Sequence, residues 1–412
     1  MTFFLTRWFY VLMQFLYGLF NNSYLLTILA VTVLLRLIQI LPDISNRKSQ
    51  LKMAAVRPKL DEIQKKYQND PQKLRVEQSK IMKENGISTL SSCLPMLITL
   101  PLFFCFLSAF RCWGNEQTIT LMYETAVAET CEVGTVEREQ AEEQAMDTFK
   151  SFRFLWVNNV WQPDNFINAN VLIFRMDGEV ITQPTSLQAL NSVSLANMPL
   201  LQKGYTDSNG NTVTGEQIWN TLVNCGLASG AYGNAGNTGA GCNSCSSCST
   251  DRTGMTLLPN SVSPEIAKEM IGVDTVEQVT ENGETITQST ASGSDIYNEI
   301  MKRYPEALSV NGNTPANGFM ILPFLAAGFQ LASSLVMMKR NKKDGAQTEQ
   351  TKSMNYMMYF FPVMSVMICM SSTAAFAFYW TVSGAFQLVS TLIINAIFDR
   401  KKAEGNLEVA KK

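Results

Sequence analysis

Hydrophobic positions gather into five runs long enough to cross a hydrocarbon layer of about 30 Å: Ser23–Pro42, Leu90–Phe110, Gly318–Met338, Asn355–Ser371 and Ala374–Phe398. Only Ser372 and Thr373 separate the last two, so a tight helical hairpin is expected there. The first twenty residues are apolar in a different way. At roughly 100° per residue, Thr6, Arg7, Tyr10, Gln14, Tyr17, Gly18 and Asn21 share one face, opposite Phe4, Leu5, Trp8, Phe9, Leu12, Phe15, Leu16 and Leu19. That is the pattern of a helix lying in a membrane interface. No small-residue cleavage site follows it, so the alternative is an early start to the first span rather than a removable signal.

Charge orients these elements. Eleven Lys and Arg between Ser45 and Asn85 face five carboxylates, and further basic clusters follow the third and fifth runs, whereas Arg111–Ala316 holds 24 acidic and 10 basic side chains. Basic loops belong in the cytoplasm and the acidic segment outside. The near-neutral total of −2 hides this division. The expected fold class is an all-α polytopic membrane core of five transmembrane helices with a cytosolic helical hairpin, plus a large extracytoplasmic α+β insert. The expected division is an external interfacial helix at 1–21, the first span at 22–44, the hairpin at 45–88 and the second span at 89–111. The insert occupies 112–316, spans three to five 317–400, and a basic cytosolic tail 401–412.

Within the hairpin, Asn69-Asp70-Pro71 supplies the break, with Asp70 as N-cap, Pro71 in the first helical position and Gly86 as the stop. Leu60, Ile63 and Tyr67 on one arm are expected to meet Leu74 and Ile81 on the other. Lys52, Arg57, Lys59, Lys65, Lys66, Lys73 and Arg75 leave a basic surface suited to anionic lipid or ribosomal RNA, although an ordinary positive-inside loop has the same composition. In the insert, Glu137–Phe152 and Ile296–Ala307 read as helix and Val171–Thr182 as strands around a turn. The glycine-rich stretch 230–241 lacks the Lys-Ser/Thr of a phosphate loop.

One residue breaks the apolar pattern with consequence. Arg36 sits inside the first run, where a central Arg costs roughly 2.5 to 3.5 kcal/mol and each Leu, Ile or Val returns only about 0.3 to 0.6. A guanidinium cannot shed its proton, so it faces a wet cavity or a partner, or else snorkels to headgroups past Pro42. Cysteines divide by compartment. Cys112, Cys131, Cys225, Cys242, Cys245 and Cys248 lie outside and are candidates for disulfides, ahead of a metal clip at the Cys-x2-Cys-x2-Cys spacing. No metal or other cofactor is expected.

Several quoted pieces together resemble the YidC membrane protein insertase family: Leu34-Leu35-Arg36-Leu37 leading to Pro42, Arg57-Pro58-Lys59-Leu60, Lys83-Glu84-Asn85-Gly86, and Cys93-Leu94-Pro95 with Pro101-Leu102-Phe103. Phe154-Leu155-Trp156-Val157, Gln162-Pro163-Asp164, Pro362, and Phe378-Tyr379-Trp380 with Gln387 complete the set. The resemblance covers 1–111, 151–164 and 318–402, about half the chain. Two additions, Asn165–Ala316 and the segment between Phe110 and Ser151, depart from it, as does the missing lipoprotein-type signal.

The resemblance implies a hydrophilic groove built around Arg36, open to cytoplasm and lipid and closed outside, through which newly made polypeptides enter the bilayer. Thr32, Gln39, Gln330 and Trp380, with Tyr379 behind them, are the expected lining. The implied partners are nascent membrane proteins, a ribosome or signal-recognition receptor docking on the hairpin, the general translocation channel and the lipid bilayer. The implied location is the bacterial cytoplasmic membrane, with the N-terminus outside and the C-terminus inside. An intramembrane serine protease fails on inventory, because Ser383-Gly384 has no histidine anywhere in the chain to activate it. A channel or transporter, or an anchored extracytoplasmic interaction module, remains as the alternative function.

Overall fold

The computed structural model describes residues 4–85, 89–164, 172–174, 180–182, 190–207, 210–235, 254–272, 276–281, 284–289, 291–302, 317–343 and 349–404. Gly86, Cys242, Cys245, Cys248, half of the glycine-rich stretch, residues 303–307 of an expected helix and most of the tail lie outside them.

Helix α1 (Phe4–Leu19) exposes Phe4, Leu5, Trp8, Phe15 and Leu19 of the expected apolar face, whereas Phe9 of that face and Thr6 of the polar face are buried. It ends at Asn21 and Asn22, both left-handed, a conformation Asn tolerates better than most residues. Ser23 then caps α2 (Tyr24–Lys66). This helix is one continuous rod of 43 residues, running through Pro42 and Pro58 and joining the first apolar run to the first arm of the hairpin. At about 1.5 Å per residue it is roughly 65 Å long, about twice the hydrocarbon thickness, so part of it stands clear of any bilayer it crosses.

Helix α3 (Pro71–Glu84) begins as the sequence dictates, with the Asp70 carboxylate accepting from the Lys73 amide at 3.1 Å. Its seam with α2 is centred on Val56 and Leu60, flanked by Met53, Ile81 and Met82. Next comes α4 (Thr89–Thr130), which continues about twenty residues past the second apolar run. Among the described residues, three helices are long and apolar enough to cross a membrane: α2, the stretch Ile321–Arg340 and the stretch Ala374–Lys401; Tyr359–Ser371 is a shorter apolar helix.

The chain divides into two units. One comprises Met1–Tyr10, Ser108–Met320 and Ser371–Ala374. In it the end of α4 is followed by α5 (Val136–Ser151), capped by Thr135. A run of short elements follows: the hairpin β1 (Leu172–Phe174) with β2 (Val180–Thr182), α6 (Ser192–Ala196), α7 (Pro199–Lys203), and the hairpin β3 (Tyr205–Thr206) with β4 (Thr212–Val213). Helix α8 (Gly215–Asn224), the pair β5 (Ala228–Ser229) and β6 (Thr256–Leu257), and α9 (Pro264–Ile271) come next. The hairpin β7 (Val276–Glu281) with β8 (Glu284–Ser289) and α10 (Gly293–Lys302) complete the insert. All four strand pairs are antiparallel. The apolar positions of these helices close on one core containing Ile119, Met122, Leu195, Trp219, Leu222 and Ile296.

This unit is also clasped by buried polar groups. The Asp164 carboxylate, fully buried, accepts from the Met320 amide (3.0 Å) and the Trp156 indole (3.3 Å). The Asn317 side chain donates to the Asn159 and Pro163 carbonyls and accepts from the Asn159 amide. Buried Glu116 accepts from the Tyr10 hydroxyl (2.5 Å) and the Leu200 amide (2.9 Å).

The second unit comprises Val11–Leu107, Ile321–Met370 and Ala375–Lys412. It holds α2, α3 and the first part of α4, with α11 (Ile321–Lys343), α12 (Glu349–Ser371) and α13 (Ala374–Ala403).

Three thiols expected outside, Cys112, Cys131 and Cys225, are free. Burial pushes Cys112 up to about 12 and Cys225 up to about 11, which keeps both protonated and poorly nucleophilic.

Two outcomes follow for the first unit. A Cβ on Gly318 would lie 2.0 Å from an Asp164 oxygen. Gly318→Ala is therefore expected to force the clasp apart and destabilise this unit by about 1–3 kcal/mol, read as a lower midpoint of protease resistance on heating. Burial also pushes the Glu116 carboxyl up to about 7 from an ordinary 4.5, against the opposing pull of its Tyr10 and Leu200 hydrogen bonds. The folded unit thus keeps a proton that the unfolded chain releases at lower pH. Stability should fall by about 3 kcal/mol as pH rises from about 4.5 through about 7, and Glu116→Gln should flatten that slope in thermal unfolding followed across the range.

Candidate functional site

Two polar stripes meet in the second unit. On α2, Arg36, Gln39, Asp43, Asn46 and Gln50 recur at three- and four-residue steps; on α13, Ser383, Gln387, Thr391 and Asn395 recur every four. Such spacings put each set on one helical face. Arg36 is where they engage. Its Nε donates to Ser383 Oγ at 2.6 Å, and its Nη1 donates to Gln39 Oε1 at 2.9 Å and Gln387 Oε1 at 2.6 Å. Its Nη2 has no hydrogen-bond partner among the described residues, and no ion pair among them involves this guanidinium. The half-buried cation is held by neutral acceptors alone.

Asp43 is nearby without touching it. The carboxylate acts on Arg36 through space, and Gln387 stands between them, accepting from Arg36 and donating through Nε2 to Asp43 Oδ2 at 3.5 Å, the long end of hydrogen-bond range. Past Gln387 the stripes separate to wall an open cavity of about 490 Å³. Asp43, Asn46 and Gln50 line it from α2, Arg340 from α11, and Gln387 and Asn395 from α13. Buried Arg47 also lines it. Beyond the cavity, Arg340 grips both oxygens of Asp399, an ion pair joining α11 to α13.

On the other side of Arg36 the surroundings become aromatic. The Tyr379 ring packs 4.7 Å from Phe106, and its hydroxyl reaches Ser383. Trp380 lies between Phe103 and Phe376, at 5.3 and 5.2 Å. The Trp380 indole donates to Ser365 Oγ (2.9 Å), which donates to Gln330 Oε1 (2.6 Å). Gly384 lets the helices approach here, since a Cβ would come within 3.2 Å of Phe329.

Of the residues singled out from sequence, Gln39 contacts Arg36 directly, and Tyr379 does so through Ser383. Gln330 and Trp380 meet each other through Ser365. Thr32 is fully buried, and its hydroxyl donates to the Ile28 carbonyl of its own helix. Ser383 and Gln387, which hold the cation, were not among the expected lining, although Gln387 is one of the residues that carry the resemblance and both stand on the α13 stripe.

On the hairpin, Lys59, Lys65, Lys66, Lys73 and Arg75 are exposed, whereas Lys52 and Arg57 are half-buried. Arg57 pairs with Asp61 and Lys73 with Asp70, both at 3.6 Å, and the Lys66 ammonium lies 5.5 Å from the Tyr67 ring. Exposed pairs of this kind leave the basic field largely intact.

Comparison with known proteins bears on the same residues. The family model described as 60Kd inner membrane protein matches 15–205 and 290–402, which takes in Arg36 and all of α13 up to Lys402 and leaves the middle of the insert unmatched. The chain is similar to the membrane protein insertase YidC of Clostridium perfringens (strain 13 / Type A), 36% identical over 101 residues, 24% of this chain and 42% of the relative. It is 34% identical over 119 residues to the protein of that name from Clostridium tetani (strain Massachusetts / E88), covering 28% and 53%. For that of Oceanobacillus iheyensis the identity is 40% over 90 residues, covering 21% and 36%. The chain spans about half or less of the length of these relatives. Since the family model matches well over half of its residues, the chain belongs to the 60Kd inner membrane protein family, that of the YidC insertases.

Proposed function

We propose that this protein is a membrane protein insertase of the bacterial cytoplasmic membrane, taking newly made polypeptides into the bilayer through a hydrophilic groove centred on Arg36. One observation carries the reading: an unneutralised guanidinium, in a helix apolar enough to span, held by neutral acceptors beside a polar cavity. The name its relatives share supports the class of activity.

The physics is that of shortening a crossing. Each unsatisfied polar group of a client tail costs several kcal/mol in hydrocarbon. Water and amides reaching partway from one side reduce the dry path, and Arg36 offers a temporary counter-ion to acidic tails. Apolar client segments then leave sideways into lipid. The basic loops support an orientation with the hairpin and C-terminus in the cytoplasm and the N-terminus outside. The hairpin is the docking surface for a ribosome or signal-recognition receptor and for anionic lipid, and the general translocation channel is a further partner. Nothing in this reading requires covalent chemistry.

In reconstituted vesicles, Arg36→Ala should lower insertion of clients with acidic external tails by about tenfold and that of neutral-tailed clients by far less. Equal efficiency for both kinds would remove the counter-ion role. Neutralising Lys59, Lys65, Lys66, Lys73 and Arg75 together should weaken binding to anionic vesicles by up to about 1 kcal/mol per charge and flatten its salt dependence, measured by co-sedimentation. Binding indifferent to both charge and salt would rule out electrostatic docking.

A further inference from the structure

We infer that Gln387 is a neutral place-holder on Arg36: it keeps Asp43 off the guanidinium at rest and gives way to the carboxylate of an acidic client. The inference rests on the insertase reading and adds what sets its preference for client charge.

Three facts carry it. First, Arg36 and Asp43 are seven residues apart on α2, two turns, and therefore on the same face, with Asp43 and the intervening Gln387 lining the cavity. Left alone, a long guanidinium and a carboxylate so disposed close on each other directly or through cavity water. The Gln387 amide occupies that path, with its oxygen on Arg36 Nη1 at 2.6 Å and its nitrogen towards Asp43 at 3.5 Å. Second, the remaining partners of Arg36 cannot move away as easily. Gln39 is one turn along the same helix, and Ser383 is buried against Tyr379. Gln387 also donates through Nε2 to Asp43 and Thr391 and borders the cavity, so when it swings its nitrogen keeps acceptors and its freed oxygen can accept from cavity water.

Third, the exchange runs downhill only because the place-holder is neutral. A carboxylate binding end-on needs Nη1 and Nη2 together. Nη2 is open among the described residues, and Nη1 is freed when Gln387 turns. A charge-assisted pair is about twice as strong as the neutral contact it replaces. Were Asp43 already on Arg36, a client would exchange one carboxylate for another and gain nothing.

The test measures, within each preparation, the ratio of insertion of an acidic-tailed to a neutral-tailed client in vesicles, so that the amount of folded protein cancels. Gln387→Glu gives Arg36 a permanent counter-ion and should lower that ratio about tenfold, close to the Arg36→Ala value. Gln387→Ala removes the spacer and should lower it severalfold, and adding Asp43→Asn should restore it, because the resident rival carboxylate is then gone. A wild-type ratio in both Gln387→Glu and Gln387→Ala overturns the inference. So does a lowered ratio in Gln387→Ala that Asp43→Asn leaves unrestored. A wild-type ratio in Arg36→Ala instead overturns the insertase reading beneath it, which separates the two failures.

Discussion

A guanidinium stays charged at any depth in a membrane, and that constraint organises the second unit. Arg36 must be solvated where it stands, so α2 and α13 have to meet in the register that brings Ser383 and Gln387 to it. Those two residues are four apart and share a face, and Gly384 beside Ser383 keeps the α13 backbone close to α11. A single charge thereby selects one helix pairing among many that apolar side chains alone would tolerate. Apolar contacts between lipid-facing helices discriminate poorly, since lipid tails satisfy a Leu as well as another helix does.

The choice of partners matters as much as their presence. A carboxylate against Arg36 would stabilise the resting protein and silence the cation. Amides and a hydroxyl solvate it less strongly and leave its charge available. The same economy appears in α2 as a whole, where Pro42 and Pro58 lie inside one helix. Each proline removes one backbone hydrogen bond, and around Pro42 the wall is already polar, with Asp43, Asn46 and Gln50 bordering a cavity able to hold water. Freed backbone groups are tolerated where such groups can satisfy them.

Much of this was legible in the chain. Apolar runs gave the helices, Asn69-Asp70-Pro71 gave the α2–α3 break, and the cost of Arg36 gave the site. The hairpin seam was partly legible: Leu60 and Ile81 were expected in it, and Val56, Met53 and Met82 join them. Boundaries between membrane and solvent were less visible, because α2 and α4 continue as helix where composition changes, and hydropathy reports environment rather than backbone. The site was partly missed for a related reason. Attention to conspicuous residues favoured Thr32 and Trp380, while the signal lay in periodicity: two polar stripes at helical spacing in otherwise apolar helices. Thr32 shows the limit of that signal: it stands one four-residue step before Arg36 on the α2 stripe, yet its buried hydroxyl satisfies itself on its own helix.

Read along α13, the environment changes in layers, and the order bears on mechanism. Phe376, Tyr379 and Trp380 pack with Phe103 and Phe106; Ser383 and Gln387 hold the cation; Thr391 and Asn395 border the cavity; Asp399 locks to Arg340. A pore for ions or small solutes needs a polar path through every layer, and a cation at its waist would repel cations while binding anions. Here the polar residues of α13 run from Asp399 to Ser383, and beyond them lie packed rings whose polar atoms are engaged with Ser365 and Ser383. Closely packed rings at one end of a polar stripe suit conduction poorly; on the insertase reading proposed above, the same order would hold a short charged segment beside Arg36 while apolar segments part to lipid.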